Sequence, residues 1–366
     1  MPCIEIGGNF CLSQQEIEVL GHGIVPYGSA FRAWNNVVFT HSGRSAITTA
    51  VRHLGLEGCM VFVPAFSCHS ITDAFLSCDC KIVYYPVNSD LTADETQLFR
   101  LMEDHKPSIL YICPLFGFDT SFSLRKRYKV IQDKGIRIIE DVTHSLLSGF
   151  SFTEADIVVC SLRKWLEIPD GGFVWGLKDF NAIDYYNTHQ EQTEIVSNFI
   201  SASKYKLDYL KTGKEELKEI FLPLFYKNNE VFDDTSISCR MSSFSYEILS
   251  QADFKQIVER RRVNYIFLLN HIKNPLVEII FKSLPTETVP LYMPVYVGDG
   301  RRADLQKALI NERLYCPVIW PTPSQVLAAC PAENVCFHND ILSLVLDQRY
   351  DYQDMERLAH CINHFS

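Results

Sequence analysis

Between residues 40 and 177, short runs of aliphatic, β-branched and aromatic residues alternate with segments that have a helical pattern. The apolar runs are CMVFV (59–63), KIVYY (81–85), SILYIC (108–113), IRIIE (136–140), DIVVC (156–160) and GFVWG (172–176). Stretches such as 94–104 and 122–134 are long enough to hold crossover helices between them. Continuous apolar strands that alternate with helices are typical of a mainly parallel sheet buried on both faces. The pattern predicts a doubly wound α/β domain.

The pattern changes after residue 180. Residues 180–235 are polar and aromatic and predict exposed helices, and one long helical pattern then runs from Ser242 to Ile272. Beyond it lie two short strand-like runs, VEIIF and LYMPVYV, and two helical segments, one near 301–312 and one from about residue 351. This mixture is typical of a smaller α+β domain.

A length of 366 residues fits two domains. We expect residues 1–235 to form an N-terminal segment and a large α/β domain with a helical extension. Residues 236–366 are expected to form a linking helix and a small C-terminal domain.

The charge balance limits the classes of partner. The chain has 34 basic and 44 acidic side chains, a formal net charge of −10, which argues against binding to nucleic acid or to an anionic membrane surface. No run approaches the ~20 apolar residues of a membrane helix. The first residues, MPCIEIGGNF, lack the basic and apolar regions of a secretory signal. We therefore expect a cytoplasmic protein.

Thirteen cysteines are scattered along the chain. The close pair Cys78 and Cys80 has no second pair at zinc-site spacing, and Cys59, Cys113 and Cys160 lie in apolar runs. We expect reduced thiols in the core and no metal site.

Three polar clusters follow predicted strands or begin predicted helices, where an open parallel sheet binds its ligands. In the first, HSGRSA (41–46), Ser42 is a good cap for a helix over 46–54, and this helix start either binds a phosphate or is capped without a ligand. In the second, Asp141 follows the run at 136–140, and it either caps a helix or pairs with a cationic ring nitrogen of a cofactor.

The third cluster is CSLRKW (160–165), which follows the next predicted strand and should therefore lie beside Asp141. Lys164 is either an ordinary surface lysine or a lysine in a crevice. In a crevice, desolvation and neighbouring cations would lower its pKa and make it a Schiff-base nucleophile.

Together these clusters resemble the large domain of fold-type I pyridoxal-phosphate enzymes, and in detail the DegT/StrS-type aminotransferases. The matching stretches run from residue 42 to about residue 355: SGRSAITTAV, VFVPAFSCHSI, PLFGFD, IIEDVTHS, SLRKWLEIPDGG, CRMSSFSYEILSQ with ERRR, and ILSLVLDQRYDYQDM. The resemblance implies a large domain with a mainly parallel sheet, a smaller C-terminal α+β domain, and pyridoxal 5′-phosphate as cofactor.

The resemblance also assigns roles to individual residues. Lys164 matches the lysine that bonds to the cofactor and moves the proton between cofactor and substrate carbon. Asp141 matches the acid that keeps the pyridine nitrogen protonated, and His144 matches a position held by His or Gln near the 3-oxygen of the ring.

Further matching positions would hold the cofactor phosphate. Gly43, Arg44 and Ser45 match the phosphate-binding turn, and Ser161 adds a hydroxyl. Arg240 matches a segment that reaches the phosphate from the partner subunit in relatives.

The sequence departs from its relatives at three places. Only three positions separate Ser161 from Lys164, where many relatives have five. Relatives often stack an aromatic ring on the cofactor a few residues after the Pro64 position; here the candidates are Phe66, Cys68 and His69, and we prefer His69. Ser238 and Cys239 stand before Arg240, where many relatives have Asn and an aromatic residue.

We expect an aminotransferase that moves an amino group from an amino acid, L-glutamate by preference, to a nucleotide-linked keto sugar. The resemblance implies a homodimer with shared active sites. One alternative is a dehydratase, in which histidine would replace Lys164. Others are a cysteine desulfurase, for which Cys316 and Cys330 are candidates, and a non-catalytic cofactor-binding regulator, which would be expected to lose Lys164 or Asp141.

Overall fold

A seven-stranded sheet organises the N-terminal half of the chain in a computed structural model that describes residues 4–14, 37–150, 154–234, 239–330 and 335–366. Its strands are β2 (Val37–Thr40), β3 (Met60–Pro64), β4 (Lys81–Tyr85), β5 (Ile109–Ile112), β6 (Arg137–Asp141), β7 (Ile157–Ser161) and β8 (Gly172–Trp175), after a short β1 (Ile6–Gly7). The strand order is β2-β8-β7-β6-β5-β3-β4. Strands β3 to β7 pair in parallel, and β8 is antiparallel to both of its neighbours. The predicted mainly parallel sheet is confirmed.

The six predicted strands all lie within one residue of their observed bounds. Their side chains alternate between two cores: Val61 and Val63 face one core and Phe62 the other. Burial on both faces explains why these strands are continuous apolar runs. Strand β2 was not predicted, because the alternation of apolar runs with helical segments begins only at its last residue.

Helices flank this sheet and extend beyond it. In the first half they are α1 (Gly43–His53), α2 (His69–Leu76), α3 (Glu95–His105), α4 (Phe122–Arg125) and α5 (Tyr128–Asp133). The middle of the chain forms α6 (Ala182–Thr188), α7 (Thr193–Thr212) and α8 (Lys218–Asp233). Helices α7 and α8 pack as a hairpin through aromatic contacts such as Phe199 with Phe225, at 5.9 Å between ring centroids.

The helix predicted from Ser242 to Ile272 is wrong in one respect, since it is two helices, α9 (Ser243–Gln251) and α10 (Phe254–His271). Ala252 is extended, and the Asp253 side chain accepts a hydrogen bond from the Gln256 N–H at 3.0 Å. Because this carboxylate caps a new helix, the chain turns here although the hydrophobic pattern continues.

The C-terminal part forms α11 (Arg302–Asn311), α12 (Ser324–Ala329) and α13 (Tyr352–Asn363) around β9 (Val277–Ile279), β10 (Met293–Val297), β11 (Leu314–Tyr315) and β12 (Ile341–Leu344). Strands β12, β10 and β9 make an antiparallel sheet, and β1 pairs in parallel with β11. The predicted strands and helices of this region are confirmed. The predicted domain boundary between residues 235 and 236 lies outside the described residues.

The cysteines among the described residues are free thiols. Cys113 and Cys160 are buried in the core as predicted, and Cys59 is half-buried. No helix within the described ranges is long and apolar enough to cross a membrane.

Gly172 sets the spacing between β8 and the turn before α1. A Cβ atom at Gly172 would lie 2.5 Å from the backbone carbonyl of Ser42 and 2.8 Å from the carbonyl oxygen of Cys160. Backbone atoms cannot move aside as a flexible side chain can, so we expect Gly172→Ala to lower the free energy of unfolding by about 3 kcal/mol.

The control is Gly298→Ala, because a Cβ there would lie 3.6 Å from the nearest atom, the carbonyl oxygen of Leu276. Denaturant unfolding of both variants tests the prediction. Equal stability of the two variants would contradict it.

Candidate active site

A cleft of about 750 Å³ opens where β6 and β7 end and α1 begins. Seven of the residues predicted for the site line it: Gly43, Arg44, His69, Asp141, His144, Ser161 and Lys164. Two others, Ser45 and Arg240, do not line it. The described residues hold no group of three or more His, Cys, Asp or Glu side chains that could bind a metal ion.

Asp141 is the last residue of β6 and is buried. One carboxylate oxygen accepts a hydrogen bond from the Tyr111 hydroxyl at 2.5 Å, and the other accepts one from the Thr143 N–H at 2.8 Å. Burial raises the pKa of this carboxyl, and the two hydrogen bonds oppose that rise. A turn follows β6 instead of an α-helix, so Asp141 is not a helix cap.

Lys164 ends a short 3₁₀ turn, Leu162–Lys164, that follows β7 directly. Thr143 holds this turn in place, because its hydroxyl accepts from the Ser161 N–H at 2.8 Å and its carbonyl from the Trp165 indole at 2.7 Å. Lys164 lines the cleft, and its side chain is exposed to the open space there.

The surroundings of Lys164 lower its pKa. Desolvation is the largest cause, and the nearby cations Arg163 and Arg44 act in the same direction, while Cys68 and Asp141 oppose them. The position of Lys164 in the cleft lining, together with this lowered pKa, agrees with the crevice interpretation of this lysine.

The first turn of α1 forms a cradle beside Lys164. The Ser42 side chain caps the helix by accepting from the Ser45 N–H at 3.1 Å, as predicted. Gly43 lies so close to β7 that a Cβ would be 3.1 Å from the Cβ of Ser161. The Ser45 hydroxyl hydrogen-bonds with Nδ1 of His41 at 2.8 Å, away from the cleft.

Two arginines line the cradle, although the sequence did not show whether they point inward. Arg44 donates to the Asp233 carboxylate at 2.7 Å, and its buried Nε has no hydrogen-bond acceptor within the described part of the chain. Arg163 lies over the Phe232 ring at 3.8 Å, and burial lowers its pKa to about 10. Both partners come from the end of α8.

His144 lines the opposite wall and stacks on Trp320, with ring centroids 4.8 Å apart and planes at 22°. Its Nδ1 accepts from the Phe116 N–H at 3.3 Å. Burial lowers the pKa of His144 to about 3, so the ring is neutral at pH 7 and its proton is on Nε2.

The candidates for a stacking ring are separated by the structure. Phe66 is buried against Trp320 and His338 and does not line the cleft, whereas His69 and Cys68 do. The Cys68 sulfur lies 3.9 Å from Nδ1 of His69. Burial would raise the pKa of Cys68, but His69 and the Lys164 ammonium together lower it to about 7. The stacking role of His69 stays a prediction.

Arg240 lies outside the cleft of its own chain. Its backbone bridges to Thr40, and its guanidinium lies 3.0 Å from the Glu191 carboxylate. Ser238, the other residue at which the sequence departs from its relatives before Cys239 and Arg240, lies outside the described residues. A contact of Arg240 with a partner subunit stays a prediction.

Two residues that position this site were not predicted from the sequence: Tyr111 and Thr143. Tyr111 could have been found because it is a tyrosine inside a buried apolar strand. A hydroxyl in such a place needs a hydrogen-bond partner, which indicates a polar group nearby. Thr143 lies in the matched stretch IIEDVTHS, but its three hydrogen bonds join segments that only the fold brings together.

The arrangement combines three chemical capacities. The N–H groups at the start of α1, with Arg44 and Arg163, suit a phosphate group. The fixed carboxylate of Asp141 suits a cationic nitrogen, and Lys164 offers an amine of lowered pKa for covalent chemistry.

Several solved structures with this fold are those of aminotransferases. The chain is 14% identical to PseC of Helicobacter pylori, an aminotransferase involved in the biosynthesis of pseudoaminic acid, with a TM-score of 0.69 and 98% of each chain covered. It is 15% identical to a DegT DnrJ EryC1 StrS aminotransferase from Brucella abortus, with a TM-score of 0.64, covering 96% of this chain and 90% of that one.

A third match is the PLP-form of Spr1654 from Streptococcus pneumoniae, at 14% identity and a TM-score of 0.66, with 98% of each chain covered. No protein-family model and no curated protein matches the sequence. The expected fold is thus confirmed over nearly the whole chain: it is the fold of the DegT-type aminotransferases.

The Tyr111 hydroxyl stabilises the charged form of Asp141, so Tyr111→Phe should raise the pKa of that carboxyl. A hydrogen bond to a charged group contributes about 1.5–3 kcal/mol, which corresponds to about 1–2 pH units. Carbon-13 NMR of aspartate-labelled apoprotein measures the titration, with Asp141→Asn to assign the signal.

Tyr85→Phe is the matched control, because the buried Tyr85 hydroxyl donates to the Tyr111 carbonyl and not to Asp141. If both variants shift the Asp141 titration equally, the Tyr111 hydroxyl does not control this carboxyl.

Proposed function

We propose that this protein is a pyridoxal-phosphate-dependent aminotransferase. It would move an amino group from an amino acid, L-glutamate by preference, to the keto group of a nucleotide-linked sugar. The observation that carries the proposal is that Lys164, Asp141 and the start of α1 face one cleft at the carboxyl edge of the sheet.

The residues present fit the cofactor phosphate. A phosphate carries nearly two negative charges, and a helix N-terminus offers about half a positive charge. Arg44 and Arg163 line the same cradle, and the Nε of Arg44 has no acceptor among the described residues. Bidentate donation suits the guanidinium group to phosphate oxygens.

We assign the remaining cofactor contacts to the other side chains of the cleft. Asp141 would hold the proton on the pyridine nitrogen, and Tyr111 and Thr143 keep its carboxylate in place. Neutral His144 would donate its Nε2–H to the 3-oxygen of the cofactor, since its Nδ1 already accepts a hydrogen bond from the Phe116 N–H. When bound, pyridoxal phosphate supplies an electron sink for a substrate carbon that loses its proton.

Lys164 would carry out the proton transfer. A general acid–base works best when its pKa is near the working pH, and desolvation and Arg163 lower the pKa of this lysine from its ordinary value. The neutral amine takes the proton from the carbon of the amino donor and returns it at the carbon of the acceptor.

The solved structures of this fold support the choice of substrates. PseC is an aminotransferase involved in the biosynthesis of pseudoaminic acid, and Spr1654, described as a sugar aminotransferase, is known in PLP- and PMP-forms. The presence of Lys164 disfavours the dehydratase alternative. The desulfurase alternative needs a reactive thiolate at Cys316 or Cys330, and burial raises the pKa of both thiols.

We further propose a homodimer in which Arg240 of one subunit completes the phosphate site of the other. Support comes from the resemblance of the CRMSS stretch and from the position of Arg240, which is partly exposed and outside the cleft of its own chain. Cytoplasmic location remains part of this proposal.

Borohydride reduction of the holoprotein should fix a pyridoxyl adduct on Lys164, and the Lys164→Ala variant should be colourless and inactive. Peptide mapping by mass spectrometry identifies the modified residue. Lys206 is an internal comparison, because it is another described lysine whose pKa burial lowers, and it donates to the Asn9 carbonyl at 2.6 Å. An adduct on Lys206, or on no lysine, contradicts the assignment.

Mixing Lys164→Ala subunits with Arg240→Ala subunits should restore activity. In the mixed dimer, one of the two sites has an intact Lys164 and the intact Arg240 of the other subunit, so each mixed dimer should have about half of the activity of the unmutated dimer. Subunit exchange is confirmed by native mass spectrometry. If exchanged mixtures are no more active than the parents, Arg240 does not act across the dimer.

A further inference from the structure

Three cysteines meet at the edge of the seven-stranded sheet that is remote from the cleft. Cys59 directly precedes β3, and Cys78 and Cys80 lie just before β4. The cleft lies toward the other end of β3, where Cys68 and His69 follow the strand. The three thiols at the remote edge have no part in the proposed amino transfer, so their chemistry has to be explained separately.

The backbone places Cys59 and Cys80 side by side. Strands β3 and β4 are parallel, and their register pairs Met60 with Lys81, so Cys59 and Cys80 occupy the preceding position on each strand. The Lys81 N–H donates to the Cys59 carbonyl at 2.8 Å. Neighbouring strands are about 4.8 Å apart, which is within the range of about 4.4–6.8 Å between the Cα atoms of disulfide-bonded cysteines.

The side chains of this pair also meet. Both pack into the same core, on one face of the sheet. The Cys80 sulfur lies 3.7 Å from the carbonyl oxygen of Leu56, in the turn just before Cys59, and it is hydrogen-bonded with the Cys59 sulfur. The two sulfur atoms are therefore placed to bond to each other without a rearrangement of the backbone.

The two thiols differ in exposure and in acidity. Cys59 is half-buried, whereas Cys80 is buried. The hydrogen bond with Cys80 lowers the pKa of Cys59, and the Ser108 hydroxyl acts in the same direction. The same contact raises the pKa of Cys80, and burial adds to that rise. An accessible thiol of lowered pKa beside a second cysteine is the arrangement found in redox-sensitive proteins.

We propose that Cys59 and Cys80 form a reversible disulfide when a hydroperoxide oxidises the protein. This inference goes beyond the proposed aminotransferase function and does not depend on it. The bond would tie β3 to β4 and close a loop, residues 60–79, that contains α2 and the cleft residues Cys68 and His69. Transient disulfides of this kind occur also in reducing compartments.

The chemistry balances with the hydroperoxide as the oxidant. The Cys59 thiolate attacks one peroxide oxygen, so an S–O bond forms while the O–O bond breaks, and the second oxygen leaves with a proton as water or an alcohol. The Cys80 sulfur then attacks the Cys59 sulfur and loses its proton to the departing oxygen. The S–S bond forms, the S–O bond breaks and water leaves. In total the two thiols lose two electrons and two protons to the peroxide.

Disulfide mapping of the full-length protein after treatment with hydrogen peroxide tests the proposal. Remaining thiols are blocked with iodoacetamide. Trypsin and a protease that cleaves before aspartate then place the three cysteines on different peptides, because Asp73 and Asp79 lie between them. Mass spectrometry should find peptide 53–72 joined to peptide 79–81, and dithiothreitol should separate them.

Peptide 53–72 also contains Cys68, so its fragmentation spectrum identifies the linked cysteine. A bond from Cys68, a bond from peptide 53–72 to peptide 73–78, which contains Cys78, or no bond at all overturns the proposal.

Cys78→Ala is the matched control for Cys80→Ala, because both remove a buried thiol from the same turn. The Cys78→Ala variant should form the disulfide to the same extent as the parent. The Cys80→Ala variant should form none and should accumulate the sulfenic acid of Cys59, which dimedone captures. Circular dichroism checks the fold of each variant, and if Cys80→Ala is unfolded, Cys59→Ala decides, since it too should form no disulfide. Equal disulfide yields in Cys78→Ala and Cys80→Ala, or in Cys78→Ala and Cys59→Ala, contradict the pairing.

Alkylation rates test the roles of the two thiols without an oxidant. Cys59 should react with iodoacetamide about 10-fold faster than Cys361, which is also half-buried but has a pKa raised by burial. Loss of the hydrogen bond in Cys80→Ala should slow the reaction of Cys59 about 3- to 10-fold. If Cys59 reacts no faster than Cys361, Cys59 is not the attacking thiol and the proposal is overturned.

Discussion

The hydrogen bonds of Thr143 are the constraint on which the rest of the site depends. Its N–H orients Asp141, its hydroxyl holds the end of β7 at Ser161, and its carbonyl holds the Trp165 indole. Each bond contributes only about 0.5–1.5 kcal/mol. Together they fix the position of the Asp141 carboxylate relative to the turn that carries Lys164. The pairing of β6 with β7 alone would not do so, because both groups lie at or beyond the ends of the paired strands.

A second constraint is the balance of charge inside the cleft. Arg44, Arg163 and Lys164 lie near one another, and their mutual repulsion helps to lower the pKa of the lysine. Asp233 forms an ion pair with Arg44, and the Phe232 ring packs against Arg163. The end of α8 therefore stabilises the positive charge of both arginines. A bound phosphate would compete with the Asp233 carboxylate for Arg44, which couples the start of α1 to the end of the α7–α8 hairpin.

The sequence was informative wherever the structure is local. The strands were predictable because burial on both faces makes them continuously apolar. Asp141 and Lys164 could be placed at the edge of the sheet because each comes at or just after the end of such a strand, whereas their expected roles came from the family resemblance. The break between α9 and α10 was not, since the hydrophobic pattern continues through Ala252 and only the cap at Asp253 interrupts it. Asp233 belongs to the cradle because it contacts Arg44, which lies 189 positions away in the chain. Sequence spacing could not predict that contact.

The same distinction separates the two ends of the cleft. The end with Lys164 is built from short segments at strand ends, so its chemistry can be inferred from motifs. The far end is assembled from remote segments: Arg349 reaches the Asn9 carbonyl, and the buried Lys206 joins Asn9 to the α7–α8 hairpin. These long-range contacts shape the far end of the cleft, so its form depends on the packing of the whole chain and cannot be inferred from motifs.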